Sequence, residues 1–144
     1  MKSIIPELIV GDILEMTKFY TEYFGFEVEF TDPEGEDYQW AQLVNGDNRI
    51  MMQSACSTMI EIPEITICTI GTDLLMFKME TADAVRQLYS GFQNSPYPIF
   101  APIRVTEYGS CEFGVHDPEG RYIIVSGDEQ QNDYLSIEQE SFEE

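Results

Sequence analysis

The feature that most constrains this chain is an order of elements that occurs twice. Sliding the sequence by 69 residues lays Val10 on Met79, Asp12 on Thr81, Phe19 on Leu88 and Tyr20 on Tyr89. In the first copy, residues 3–10 alternate as a strand does, with Ile4, Leu8 and Val10 on one face and Ile5, Glu7 and Ile9 on the other. Gly11 breaks the run. Asp12 stands where a helix N-cap belongs, and Glu15 three residues on completes an acidic capping box. Ile13, Met16, Phe19, Tyr20, Tyr23 and Phe24 then recur at steps of three and four, which predicts an amphipathic helix stopped by Gly25. Strands are predicted over 26–30, 38–44 and 49–54, the last two joined by the Asn45-Gly46 hairpin signal.

The second copy opens with a predicted strand over 74–80. Thr81 caps the helix that follows, Asp83 lies in its first turn, and Ala82, Val85, Leu88, Tyr89 and Phe92 form its apolar face. Pro96 and Pro98 bar further helix, and strands are predicted over 99–106, 111–116 and 121–126. Residue identity between the copies is weak, so what repeats is the plan, and an internal duplication accounts for it. The last two strands flank Asp117-Pro118-Glu119-Gly120, where Pro118 suits the second position of a tight turn and Gly120 can take a positive φ. At 144 residues the length predicts a single domain: a first module at 3–54, a linker at 55–72, a second module at 73–127 and a tail at 128–144. The linker is rich in Ile and Thr around Pro63, a composition that suits extended chain.

Charge narrows the partners. The formal charge is −20, with 27 acidic and 7 basic side chains, which argues against nucleic acid and against an anionic membrane surface. It permits a cationic ligand or a basic protein partner, and it also serves solubility. The tail alone carries seven of the acidic residues (Asp128, Glu129, Asp133, Glu138, Glu140, Glu143 and Glu144) and no basic one. No run is apolar and long enough for a bilayer span, and no signal peptide is evident, so a cytoplasmic location is expected. Cys56, Cys68 and Cys111 are an odd set without paired spacing and read as reduced thiols. A single histidine, His116, leaves a nucleophilic triad without support, and no phosphate-cradling glycine loop is present.

Two copies of strand-helix-strand-strand-strand resemble the vicinal oxygen chelate superfamily, which includes glyoxalases, extradiol dioxygenases and bleomycin-resistance proteins. The resemblance rests on Val10-Gly-Asp with Phe19-Tyr20 and Phe24-Gly25-Phe26, on the restart at Leu74, and on Phe113 through Asp117-Pro-Glu-Gly to Ile124. It implies an α+β fold in which two βαβββ modules form a curled mixed sheet with a concave cleft. It also implies a divalent metal held by inward side chains of the first and last strand of each module. Those positions project onto Ile5, about Met51, Leu74 and Ile124, none of which offers the carboxylate or imidazole such a cation takes. No metal, no cofactor and no catalytic residue is therefore assigned, and His116 is read as a strand-end residue.

What the resemblance leaves is the binding branch: a homodimer that sequesters a small cationic or aromatic molecule. Strand parity around the projected positions nominates Glu7, Tyr38, Trp40, Met51, Met76, Glu112 and Tyr122 as lining. Trp40 or Tyr38 would stack on a flat cation, and Glu7 or Glu112 would supply counter-charge. Each also has a plainer role. Trp40 is core on that alternative, Glu7 pairs with Lys78 or Arg49, Glu112 ends a solvated strand, and Met51 and Met76 fill a closed cleft. An enzyme with a rearranged site using Glu7, Glu112 or His116, and a protein-interaction module built on the tail and linker, are the competing functions.

Overall fold

The structure is a computed structural model, and it describes residues 1–61 and 74–129. Among the described residues, eight strands and three helices run in the order β1 (Glu7–Val10), α1 (Ile13–Phe24), β2 (Glu27–Asp32), β3 (Trp40–Asn45), β4 (Asn48–Ser54), α2 (Ala55–Glu61), β5 (Leu74–Lys78), α3 (Ala82–Gln93), β6 (Ile99–Val105), β7 (Ser110–His116) and β8 (Tyr122–Asp128). They form an α+β fold with two four-stranded sheets, ordered β1-β4-β3-β2 and β5-β8-β7-β6. The same order in both sheets is the duplication seen in the sequence. The first sheet is mixed, because β1 runs parallel to β4 while β3 pairs antiparallel with β2 and β4. The described residues divide into two compact units, 1–61 with 117–122, and 74–116 with 123–129.

The helix ends form as their residues dictate. Asp12 adopts extended backbone and its carboxylate accepts the Glu15 N–H at 3.1 Å, while Gly25 takes φ 70° and closes α1 with its N–H on the Tyr20 carbonyl. Thr81 caps α3 in the same way through the Ala84 N–H at 3.1 Å. In the first unit, Met16, Phe19 and Tyr20 of α1 lie fully buried with Leu8, Val10, Ala41, Leu43 and Met52 of the sheet. In the second unit, Val85 and Phe92 of α3 are buried with Phe113, Val115, Ile123 and Val125. Phe113 meets Phe92 and Tyr89 ring to ring at 5.9 and 5.2 Å, a spacing at which aromatic pairs add to simple area burial.

Several elements depart from the sequence expectation, β2 among them, which runs to Asp32 instead of ending at residue 30. Strand β1 begins at Glu7 instead of residue 3, because Pro6 has no N–H for a ladder and contributes only its carbonyl, to Met51. The stretch expected to be extended from residue 55 starts as a helix. Ser54 is the reason, since its hydroxyl accepts the Ser57 N–H at 3.2 Å and its carbonyl holds the Thr58 hydroxyl at 2.9 Å. Strand β8 continues to Asp128, so the tail begins inside the sheet. The remainder of the linker, with Cys68, and the tail from residue 130 lie outside the described residues.

Candidate functional site

The register of the first sheet places its outward side chains in rows. Glu7, Met51, Gln42 and Phe30 are successive cross-strand partners, and Ile9, Gln53, Trp40 and Asp32 form the next row. Partners across strands share a face, so both rows lie on the side opposite the buried Leu8–Met52–Ala41 row that packs with α1. Asp32 joins this face through a bulge. The register slips between Val28 and Phe30, so Val28 still opposes Leu43 while Phe30 and Asp32 turn outward with Gln42 and Trp40.

At the Trp40 end of this face lies a recess of about 630 Å³ lined by Glu7, Asp32, Pro33, Gln39, Trp40, Gln53 and Ser57. Its polar wall is held in place. The Gln53 amide donates to the Ser57 hydroxyl at 3.0 Å, and the Ser54 hydroxyl donates to the Gln39 side-chain oxygen at 2.7 Å. Trp40 is half-buried, whereas Glu7 and Asp32 are exposed. Among the described residues, no basic side chain lines the recess. Arg49, one candidate partner for Glu7, instead pairs with Glu29 at 3.3 Å. A tryptophan face beside two carboxylates suits a flat cation, by stacking area, quadrupole attraction and counter-charge together.

Of the seven nominated residues, the structure brings Glu7 and Trp40 together in this recess, with Met51 beside Glu7 in the adjoining row. Tyr38 is half-buried just before β3 and does not line it. Met76 is exposed on β5 of the second unit, and Tyr122 is exposed at the start of β8. Glu112 is no solvated strand end. It is buried within β7 and accepts hydrogen bonds from Tyr108, Ser110 and Ser126. Asp32 is not among the nominated residues because the second strand is predicted to end at residue 30, whereas β2 runs on to Asp32 past the bulge. Its sequence setting, Thr31-Asp32-Pro33, gives no sign of a bulge two residues earlier.

The turn at 117–120 folds with the first unit. Gly120 takes φ 88° and donates to the Asp117 carbonyl at 3.0 Å, the tight turn its sequence predicts. Asp117 accepts the Glu119 and Arg121 N–H groups at 2.9 and 3.0 Å, the Tyr20 hydroxyl at 3.0 Å and the Arg121 guanidinium at 3.3 Å. Arg121 is wholly buried and also donates to the Ile9 carbonyl. Glu119 accepts the Gly11 and Asp12 N–H groups at 2.8 and 2.9 Å, at the entry to α1. Burial, with the Asp117 carboxylate alongside, pushes the Tyr20 phenol well above its usual range. This turn is an anchor, and its groups are consumed by one another.

A family model described as the Glyoxalase/Bleomycin resistance protein/Dioxygenase superfamily matches residues 4–125. The chain belongs to that superfamily. Solved structures agree on the fold: a glyoxalase-related enzyme from Fulvimarina pelagi is 15% identical, with a TM-score of 0.72 over 89% of each chain. TioX from Micromonospora sp. ML1 is 17% identical, with a TM-score of 0.70 over 89% of this chain and 99% of that one. A lactoylglutathione lyase from Agrobacterium tumefaciens is 17% identical, with a TM-score of 0.69 over 88% and 94%. No curated protein matches the chain significantly.

The superfamily's metal can be tested against the side chains present. Ile5 precedes β1, Met51 offers one thioether, and Leu74 and Ile124 offer no donor atom. Among the described residues, no three His, Cys, Asp or Glu side chains come together as a ligand set. A hard or borderline divalent cation does not fit this donor set, and no chemistry is derived through one.

Proposed function

We propose that this superfamily member is a binding protein that sequesters a small cationic aromatic molecule in the recess of the first unit. The observation that carries the reading is the convergence of Glu7, Asp32 and Trp40 on one recess that has no basic residue in its lining among the described residues. A volume of about 630 Å³ falls within the range of small-molecule sites. The stack supplies contact area and the two carboxylates supply sign selectivity. Met51, in the row beside Glu7, extends the apolar wall on this reading, a homodimer is its working form, and resistance to a basic drug is the role it suits.

Isothermal titration of the full chain with a planar cationic probe such as ethidium, and with bleomycin as the basic glycopeptide, tests this. Binding at tens of micromolar or tighter is expected. Trp40→Ala and the pair Glu7→Gln/Asp32→Asn should each weaken it about tenfold or more, in line with the cation–π and charge contributions. Equal affinity for a neutral probe of the same shape, or no heat from any cationic aromatic, would refute the proposal.

A further inference from the structure

Outside the recess, the group least expected in its surroundings is the carboxylate of Glu112 in the second unit. It is 7% exposed in the middle of β7. Among the described residues, its side-chain partners are neutral hydroxyls: Tyr108 at 3.1 Å to each oxygen, Ser110 at 3.2 Å and Ser126 at 2.9 Å. Among the described residues, no ion pair to it forms. Arg86 holds Asp83 and Glu129, and Arg104, its cross-strand partner on β6, does not pair with it. A desolvated carboxylate is costly to keep unless a cation or a full set of donors replaces water.

The donors are of unequal strength. Ser110 gives its one proton to Glu112, so the Thr106 hydroxyl, 2.9 Å away, donates to Ser110, and the pair forms a fixed relay inside the β6–β7 hairpin. Tyr108 is different. Its single proton is shared between two oxygens, and the residue is 73% exposed on the loop between β6 and β7. The ring is therefore in solvent and only its hydroxyl closes over the carboxylate. A group that brings both positive charge and several N–H donors makes stronger bonds to both oxygens than one shared phenol proton does. Ser126 keeps free lone pairs beside the same Oε2 and can accept a remaining N–H.

We propose that Glu112 is a recognition site for a primary ammonium group and that Tyr108 is its displaceable cover. The site goes beyond the recess of the first unit and stands or falls separately from it. Full-length protein is titrated with n-butylammonium, and with tetramethylammonium as a cation without N–H donors, while NMR follows the Glu112 carboxyl carbon and the Tyr108 ring. Butylammonium should shift both signals and tetramethylammonium neither. Glu112→Gln should weaken butylammonium binding about tenfold or more, the scale of a lost hydrogen bond to a charged group. Tyr108→Phe should tighten it severalfold by removing the competitor. Should Glu112→Gln not fold, Ser126→Ala keeps the carboxylate and should lose affinity severalfold. Trp40→Ala should leave the response unchanged, which separates this site from the recess. A silent Glu112 carboxyl at saturating butylammonium, equal responses to the two cations, or weaker binding by Tyr108→Phe would overturn the proposal.

Discussion

Substituting Asp117→Asn tests whether the turn is an anchor of the first unit. The carboxylate gathers four donors, from Tyr20, from the Glu119 and Arg121 backbone and from the Arg121 guanidinium, and both charged residues are almost entirely buried. The carboxamide still serves the two backbone N–H groups through its oxygen. It leaves Arg121 with the Ile9 carbonyl and with Glu119 at 3.8 Å, too long for a strong pair. Leaving one partner of a buried pair uncompensated costs about 3–5 kcal/mol. The Glu119 contact brings the expectation to about 3 kcal/mol, or a melting shift of about 10 °C for a chain of this size. Arg121→Met should cost less, about 1–2 kcal/mol, because the Asp117 carboxylate it leaves behind retains three hydrogen-bond donors. The Arg121 Nε has no hydrogen-bond partner, which lowers that loss further. The double variant should therefore fall short of the sum of the singles by about 1 kcal/mol or more. Urea denaturation at neutral pH, followed by circular dichroism, measures all three. An Asp117→Asn cost below about 1 kcal/mol, or strict additivity, would refute the argument.

Alkaline pH should destabilise the protein through Tyr20. Its phenol is held protonated in the folded state well above its unfolded value, so the stabilisation is complete below about pH 10 and declines as pH rises beyond it, by about 1.4 kcal/mol per unit. Tyr20→Phe should remove that slope in urea midpoints measured from pH 9 to 11.5, while the wild-type slope persists. Gly127→Ala should cost about 2 kcal/mol or more, since a Cβ there would meet the Thr81 carbonyl oxygen at 2.5 Å and that atom belongs to the capping turn of α3; a thermal melt unchanged from wild type would count against it. Ser54→Ala should cost about 1 kcal/mol as a lost N-cap and release the Gln39 side chain, lowering recess affinity along with stability. Titration beside a melt separates the two effects.

How much of this was legible in the sequence depends on whether the deciding interaction was local. Helices α1 and α3 were read with their caps because Asp12–Glu15 and Thr81–Ala84 are contacts across three residues that periodicity then extends. The sheet faces followed from alternation as long as the ladder was regular. At β2 one extra residue near Glu29 puts Phe30 and Asp32 on the face opposite Val28, a feature the strand predicted over 26–30 could not carry, because a bulge is a property of the pairing and not of either strand alone. Helix α2 was misread although Ser54 and Ser57 stood at capping distance, since Ile-rich composition outweighed one local signal. Arg121 and Glu112 were illegible for a further reason. Their partners are 112 residues away at Ile9 and 14 residues away at Ser126, and charge on a strand face argues for solvent until those partners are seen.

The net charge of −20 acquires a location once the ion pairs are traced. Lys18 pairs with Glu22, Arg49 with Glu29, Arg86 with Asp83 and Glu129, and Arg121 with Asp117. Four of the seven basic residues are thus engaged by carboxylates of their own unit, and none of these carboxylates lines the recess. Among the described residues, the acidic groups outside these ion pairs include Glu7, Asp32 and Glu112. Others, such as Glu15, Glu27, Glu36 and Asp47, are exposed and serve general solubility. Glu7 and Asp32, however, share a recess with the chain's single tryptophan, and Glu112 is buried among hydroxyls. Paired charges are locally neutralised and contribute little beyond a Debye length, so the field that reaches an approaching ligand comes from the unpaired groups. In the first unit that field is negative at the recess and backed by an aromatic face, which is the arrangement a cationic ring would be drawn to and held by.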